Sequence, residues 1–137
     1  MPFIPDLSFI ERGIASAVSG DIDTYVDFYS QDAVCHFPRA PKGGIIGPEA
    51  VRKHVEPMWK NLDEWQMKAT WVLFGENKLA AEYENLWVSK VDLPDGTLEI
   101  PVKKGDRIVN TVMVHIDFND DGKITRQVLR TIESKKL

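Results

Sequence analysis

The sequence predicts an α+β domain in which three N-terminal helices cover one face of a curved antiparallel sheet of about five or six strands. Three observations predict it. Between Ser8 and Pro57 the apolar residues recur at helical spacing. From Met67 onward they alternate with period two. The alternating runs are separated by the turn sequences Gly75-Glu76-Asn77, Leu93-Pro94-Asp95-Gly96 and Asn119-Asp120-Asp121-Gly122. Helices laid down first and a strand meander afterwards is the order of α+β folds, not of alternating βαβ units. At 137 residues, 43% of them hydrophobic, the chain is long enough for one core and too short for two, so 1–137 is read as a single domain.

Each element has its own signal. Ser8-Phe9-Ile10-Glu11 has capping-box spacing, and Ile10, Ile14, Ala17 and Val18 continue a first helix up to Gly20. Asp21 caps a second, whose stripe is Ile22, Val26 and Tyr29 with Tyr25 and Phe28 on its flank. A first strand carrying Cys35, His36 and Phe37 stops at Pro38. Pro48 suits the first position of a third helix, which Val51 and Val55 continue until Pro57 removes a backbone donor. The β-rich runs that follow are Met67–Phe74, Leu79–Val91, Leu98–Val102, Ile108–Phe118 and Ile124–Ile132.

Composition removes several function classes. A net charge of −4 without blocks of like charge disfavours nucleic acid and anionic membrane as partners. One cysteine forms no internal disulfide and no Cys-x-x-Cys metal site. With no charged-then-apolar leader and no apolar run near about eighteen residues, a soluble, cytoplasmic protein is expected.

Alternation decides which sheet face is buried. One parity collects Cys35, Phe37, Trp71, Leu73, Tyr83, Asn85, Trp87, Val112, Val114, Ile116, Gln127, Leu129 and Thr131. The other collects His36, Glu82, Glu84, His115, Asp117, Arg126 and Arg130 among Val34, Leu86, Val88, Met113 and Val128. Burying the second set desolvates five charges and two histidines, so the first set points inward. The second, half apolar and half charged, suits a homodimer interface on the convex face.

Gly20-Asp21-Ile22-Asp23, Phe28-Tyr29-Ser30-Gln31-Asp32-Ala33-Val34, Gly47-Pro48-Glu49-Ala50-Val51 and Asp121-Gly122-Lys123-Ile124 resemble the nuclear-transport-factor-2-like superfamily along the whole chain. Its members include ketosteroid isomerase, SnoaL-like polyketide cyclases, limonene epoxide hydrolase and scytalone dehydratase. The segment Leu93-Pro94-Asp95-Gly96 with Ile100-Pro101-Val102 is similar to the epoxide-hydrolase branch. The resemblance implies a cone-shaped sheet wrapped around the helices, and fixes the reaction poorly because one cone hosts many chemistries.

Family residues carry over mostly as absences. The isomerase base falls on Phe37, its helical tyrosine on Gly13 and its oxyanion aspartate on Val114. Cys35 and Phe37 replace the hydrolases' water-holding pair. Their Arg-Asp pair becomes Trp87 and Ser89, or Tyr83 and Asn85, and Leu129 stands at the last aspartate. The cyclases' acid/base aspartate lies on a final strand that here offers only Gln127, Leu129 and Thr131. Scytalone dehydratase works with tyrosines and histidines, and none of the three histidines here is expected on the concave face.

Tyr83, Asn85 and Gln127 are therefore the expected catalytic or orienting polar groups, with Tyr83 the proton donor. Cys35, Phe37, Trp59, Trp65, Trp71, Trp87, Asn110, Val112, Val114 and Leu129 are expected to contact an apolar small-molecule ligand, Trp59 and Trp65 as a lid at the mouth. Cys35 has no basic neighbour on its face and reads as an inert buried thiol, and His36 as a surface or interface residue. His36, Glu84, His115 and Arg130 would become the site only if the parity were reversed, and their types pair with one another more readily than with zinc. Two readings result. One is a SnoaL-like enzyme that isomerises, cyclises or hydrolyses an apolar ring compound (polyketide, terpenoid or steroid-like) without cofactor or metal; the other is a non-catalytic ligand-binding or dimerisation module of the same fold.

Overall fold

The computed structural model describes residues 1–137. Helix α1 (Leu7–Val18) is capped by Asp6, whose carboxylate accepts the Ser8 backbone N–H at 3.0 Å. The expected Ser8–Glu11 box is not used, because Asp6 caps first and Ser8 lies inside the first turn. Phe9, Ile10 and Ala17 are its buried apolar face, and Phe9 meets Phe118 edge-to-face at 5.0 Å.

Helix α2 (Ile22–Val26) is capped by Asp21, which accepts from the Thr24 backbone at 3.2 Å. It stops before Tyr29, which the sequence placed on its stripe. Tyr29 instead opens β1 (Tyr29–His36), paired in parallel with the strand beginning at Ile124, and the Ile124 amide takes the Phe28 carbonyl at 2.8 Å. Long-range pairing overrides the local helical pattern there.

The short β2 (Ile45–Ile46) leads into α3 (Pro48–Trp59) through Gly47. Gly47 has φ 86°, and a Cβ there would lie 2.8 Å from the Gln31 carbonyl oxygen, so only glycine fits. The helix passes Pro57, expected to end it, because a proline in the last turn costs one hydrogen bond.

Four long strands complete the fold: β3 (Leu62–Gly75), β4 (Lys78–Ser89), β5 (Arg107–Phe118) and β6 (Ile124–Lys136). The sheet order is β2-β1-β6-β5-β4-β3, antiparallel at every junction except the parallel β1–β6 pair. On β4 and β5 the inward parity is the buried one, alternating without interruption. On β3 the expected parity fails. Ala69 pairs with Tyr83 and Trp71 with Glu82, so two β3 residues span one step of β4; this bulge turns Trp71 and Leu73 outward, 39% and 66% exposed. Trp65, Met67, Ala69 and Val72 take the inner positions and pack against the core clusters.

Leu98–Val102, expected as a strand, is part of an irregular loop, and Pro94 and Pro101 deny it ladder donors. The loop is tied down nonetheless. The Leu93 amide reaches the Val102 carbonyl at 3.0 Å, the Lys104 amide reaches Asp92 at 2.8 Å, and Val102 is buried against Trp87 and Ile108. No helix is long and apolar enough to cross a membrane.

Candidate functional site

The helices and the inner sheet face do not close on one another. Between them lies a cavity of about 580 Å³, lined mainly by hydrophobic side chains. Such a volume holds a drug-sized molecule. Of the residues expected there, Tyr83, Asn85, Gln127, Phe37, Trp59, Trp65, Trp87, Asn110, Val112, Val114 and Leu129 line it. Trp71 does not, for the reason of the β3 bulge. Cys35 does not either: it is fully buried behind the wall, and burial pushes its thiol up to about 12. Gly13, Phe37 and Val114, where the resemblance would seat acid/base groups, line the cavity with hydrogen and hydrocarbon.

The polar groups divide by their partners. Tyr29, Tyr25 and Gln127 form a buried chain, with 3.0 Å between the two hydroxyls and 3.0 Å from Tyr29 to Gln127 Oε1. Gln127 Oε1 can only accept and a phenol has one proton, so Tyr29 donates to Gln127 and accepts from Tyr25. Burial raises both tyrosines above the ordinary phenol range. Asn85 Oδ1 accepts from Trp65 Nε1 at 3.0 Å, and Asn110 Nδ2 donates to Ser134 Oγ at 2.9 Å.

Among the cavity-lining side chains, the Tyr83 hydroxyl, the amide nitrogens of Asn85 and Gln127, Asn110 Oδ1 and the side chains of Asn61 and Thr131 make no hydrogen bond within the chain. Burial raises Tyr83 well above its usual value, which keeps its proton available for donation. Trp87 Nε1 is the one fully buried side-chain polar atom with no acceptor.

The aromatic wall is built across elements. Trp59 at the end of α3 meets Tyr25 edge-to-face at 4.9 Å and Trp65 of β3 at 5.6 Å. Leu93, Pro94, Thr97 and Leu98 bring the irregular loop to the same cavity, where the sequence predicted a turn and a strand.

Sequence reasoning also missed His54. It left all three histidines off the concave face, but that argument covered strands, and His54 reaches the cavity from α3, one turn after buried Val51. Its ring stacks on Phe37 at 5.3 Å and 10°. Burial and the Arg39 guanidinium hold it below the ordinary histidine value, opposed by the Pro38 backbone. It is therefore neutral at pH 7 and able to accept a proton. The spacing of His54 three residues after Val51 was the available signal.

The outer-face cluster does not assemble. His36 and His115 are separated by Val128 of the intervening strand, Glu84 pairs with Lys68 at 3.6 Å, and Arg130 sits opposite Met113. No three His, Cys, Asp or Glu side chains converge as a metal site.

A six-stranded sheet curled over three helices around one apolar cavity is the cone fold of the nuclear-transport-factor-2-like superfamily. The chain belongs to the SnoaL-like domain family, whose family model matches residues 10–127. It is similar to a SnoaL-like polyketide cyclase from Agrobacterium tumefaciens, at TM-score 0.73 and 17% identity over 91% of this chain and 88% of that one. It is similar to AclR, a candidate hydroxylase of Streptomyces galilaeus, at TM-score 0.72 and 14% identity over 90% and 86%. A Δ5-3-ketosteroid isomerase from Mycobacterium sp. matches at TM-score 0.66 and 13% identity over 90% of each chain. At these identities the likeness is one of fold. No curated protein matches the sequence.

Proposed function

We propose that this protein binds an apolar ring compound in the cone and shifts or closes its bonds by cofactor-free acid/base chemistry, as an isomerase or cyclase. The observation that carries the reading is a half-buried histidine, held below its ordinary pKa, on the wall of a mainly apolar cavity that also presents the unpaired Tyr83 hydroxyl and the Asn85 and Gln127 amide nitrogens as donors. His54 would take a proton from a carbon beside a ring carbonyl. The charge that develops on the carbonyl oxygen would be met by the Tyr83 hydroxyl and the Asn85 amide nitrogen, with the Gln127 amide nitrogen as a further contact. The imidazolium would then return the proton to another carbon of the same ligand, so no group is consumed. Neighbours described as polyketide cyclases and as a ketosteroid isomerase support a ring ligand.

The test reads proton abstraction directly. Ring ketones that bind should lose protium at the α-carbon in D2O when followed by NMR. His54→Gln should abolish this exchange without abolishing binding, and Tyr83→Phe should slow it. Bound ketones that never exchange would refute the catalytic reading and favour a non-catalytic binding module. The absence of any carboxylate from the cavity lining favours that second reading.

The outer sheet face, with Trp71, Leu73, Met113 and Ile132 exposed, is proposed to be covered by a second copy. Leu73→Lys with Met113→Glu should then shift the sedimentation of the protein from dimer to monomer, and a wild-type monomer at micromolar concentration would refute the assignment.

A further inference from the structure

The cavity of an acidic chain is lined by no acidic residue, and its charged lining consists of Arg39 and Lys53, beside His54. Both cations are exposed, and neither takes part in any of the ten ion pairs of the molecule. The carboxylates of α2 and α3 are already engaged: Asp23 and Glu49 with Arg52, at 2.6 and 3.4 Å, and Glu56 with Lys60 at 4.0 Å. Two positive charges at the rim of an apolar chamber are thus left without a counter-charge.

The backbone singles out Arg39 further. Phe37-Pro38-Arg39-Ala40 is a turn closed by the Ala40 amide on the Phe37 carbonyl at 3.1 Å, with Pro38 at its second position. Arg39 occupies the third position with φ 66°, where glycine or asparagine is the unstrained choice. A strained arginine in a glycine position points to a use for its side chain. The guanidinium is laid over the mouth, 3.7 Å from the Sδ of Met58, itself a cavity residue.

We propose that the cavity takes a ring compound bearing a carboxylate, with the rings inside the cone and the carboxylate clamped at the mouth by Arg39 and Lys53. The planar guanidinium fork fits a carboxylate in two-point fashion, and Lys53 adds a mobile point charge. Clamping one end fixes which ring atoms reach His54 and the Tyr83 hydroxyl, so the clamp orients the ligand as well as holding it. The inference rests on the cavity reading above and deepens it by naming the ligand class.

A matched pair of probes separates the two: anthracene-2-carboxylate and its methyl ester, titrated by fluorescence into the full chain. The acid should bind tighter than the ester by about tenfold or more, as one charge-assisted contact at a partly exposed site implies. The preference should shrink with added salt. Arg39→Gln with Lys53→Gln should remove the preference and leave the affinity for the ester within about twofold, which also shows that the variant is folded. If the ester binds as well as the acid in the unaltered protein, the clamp is wrong and the cavity reading stands. If neither probe binds, the open-cavity reading falls and takes the clamp with it.

Discussion

Tyr29→Phe tests whether the Tyr25–Tyr29–Gln127 chain is closed structure or open ligand-binding surface. Tyr29 and Gln127 are each 4% exposed, and removing the Tyr29 hydroxyl leaves Gln127 Oε1 without its donor and the Tyr25 proton without its acceptor. A stranded buried acceptor costs about 1–3 kcal/mol, whereas the less buried Tyr25 loses only an ordinary net hydrogen bond of about 1 kcal/mol. The expected loss is about 2–4 kcal/mol. Unfolding entropy for 137 residues is about 0.29 kcal/mol/K, so the melting temperature should fall by roughly 7–14 °C. Urea denaturation should show the midpoint moving with the slope unchanged. The double variant Tyr29→Phe with Gln127→Leu should recover at least about 1 kcal/mol, since the polar group left stranded is removed with its partner. A single variant within about 0.5 kcal/mol of the parent would refute the closed network and return Gln127 Oε1 to the list of ligand contacts.

Three further outcomes are expected. The folded-state value of His54 lies below the unfolded value of about 6.5, so the unfolded chain binds more protons in that window. Stability should therefore fall as pH drops from about 6.5 toward the folded value, and proton exchange on a bound ketone should be lost through the lower pH; His54→Gln should flatten the stability change. Cys35, with its thiol pushed up to about 12 and no exposed surface, should react with Ellman's reagent at pH 8 only on unfolding; one thiol titrating within seconds in the native protein would contradict its burial. Arg39→Gly should raise thermal stability by about 0.5–1 kcal/mol, the left-handed strain relieved less the entropy of a new glycine, and weaken binding of anthracene-2-carboxylate.

The regular parts of this fold were legible because one physical rule governs each. Along β4 and β5 every second side chain faces the core, so period two assigned Tyr83, Asn85, Trp87, Val112 and Val114 to the inner wall. Pro48 and Asp21 announced their helix starts by capping chemistry, which is local. Tyr29 failed because its helical spacing was outweighed by pairing with residues nearly a hundred positions away. Trp71 failed because a bulge shifts parity by one residue, and nothing in the alternation of one strand records how its partner is registered. His54 was legible in principle. Its place one turn after Val51 marks the inner face of α3, which the parity of the strands does not reach.

The features that periodicity could not show are the ones that make the site. Had β3 kept its parity, the Trp71 indole would have faced into the cone, and an indole brings enough surface to fill a large share of a cavity of about 580 Å³. The bulge moves it to the outer face and turns the smaller Val72 inward in its place. The turn at Pro38 ends β1 and, at the cost of a strained residue, lifts a guanidinium to the mouth. The proline-interrupted loop fails to become a strand and so remains free to supply Leu93 and Leu98 as a third wall. Each irregularity gives up ladder hydrogen bonds or backbone comfort and yields either empty volume or a charge at its edge. That is the trade expected where a fold keeps its core for stability and its departures from regularity for a ligand.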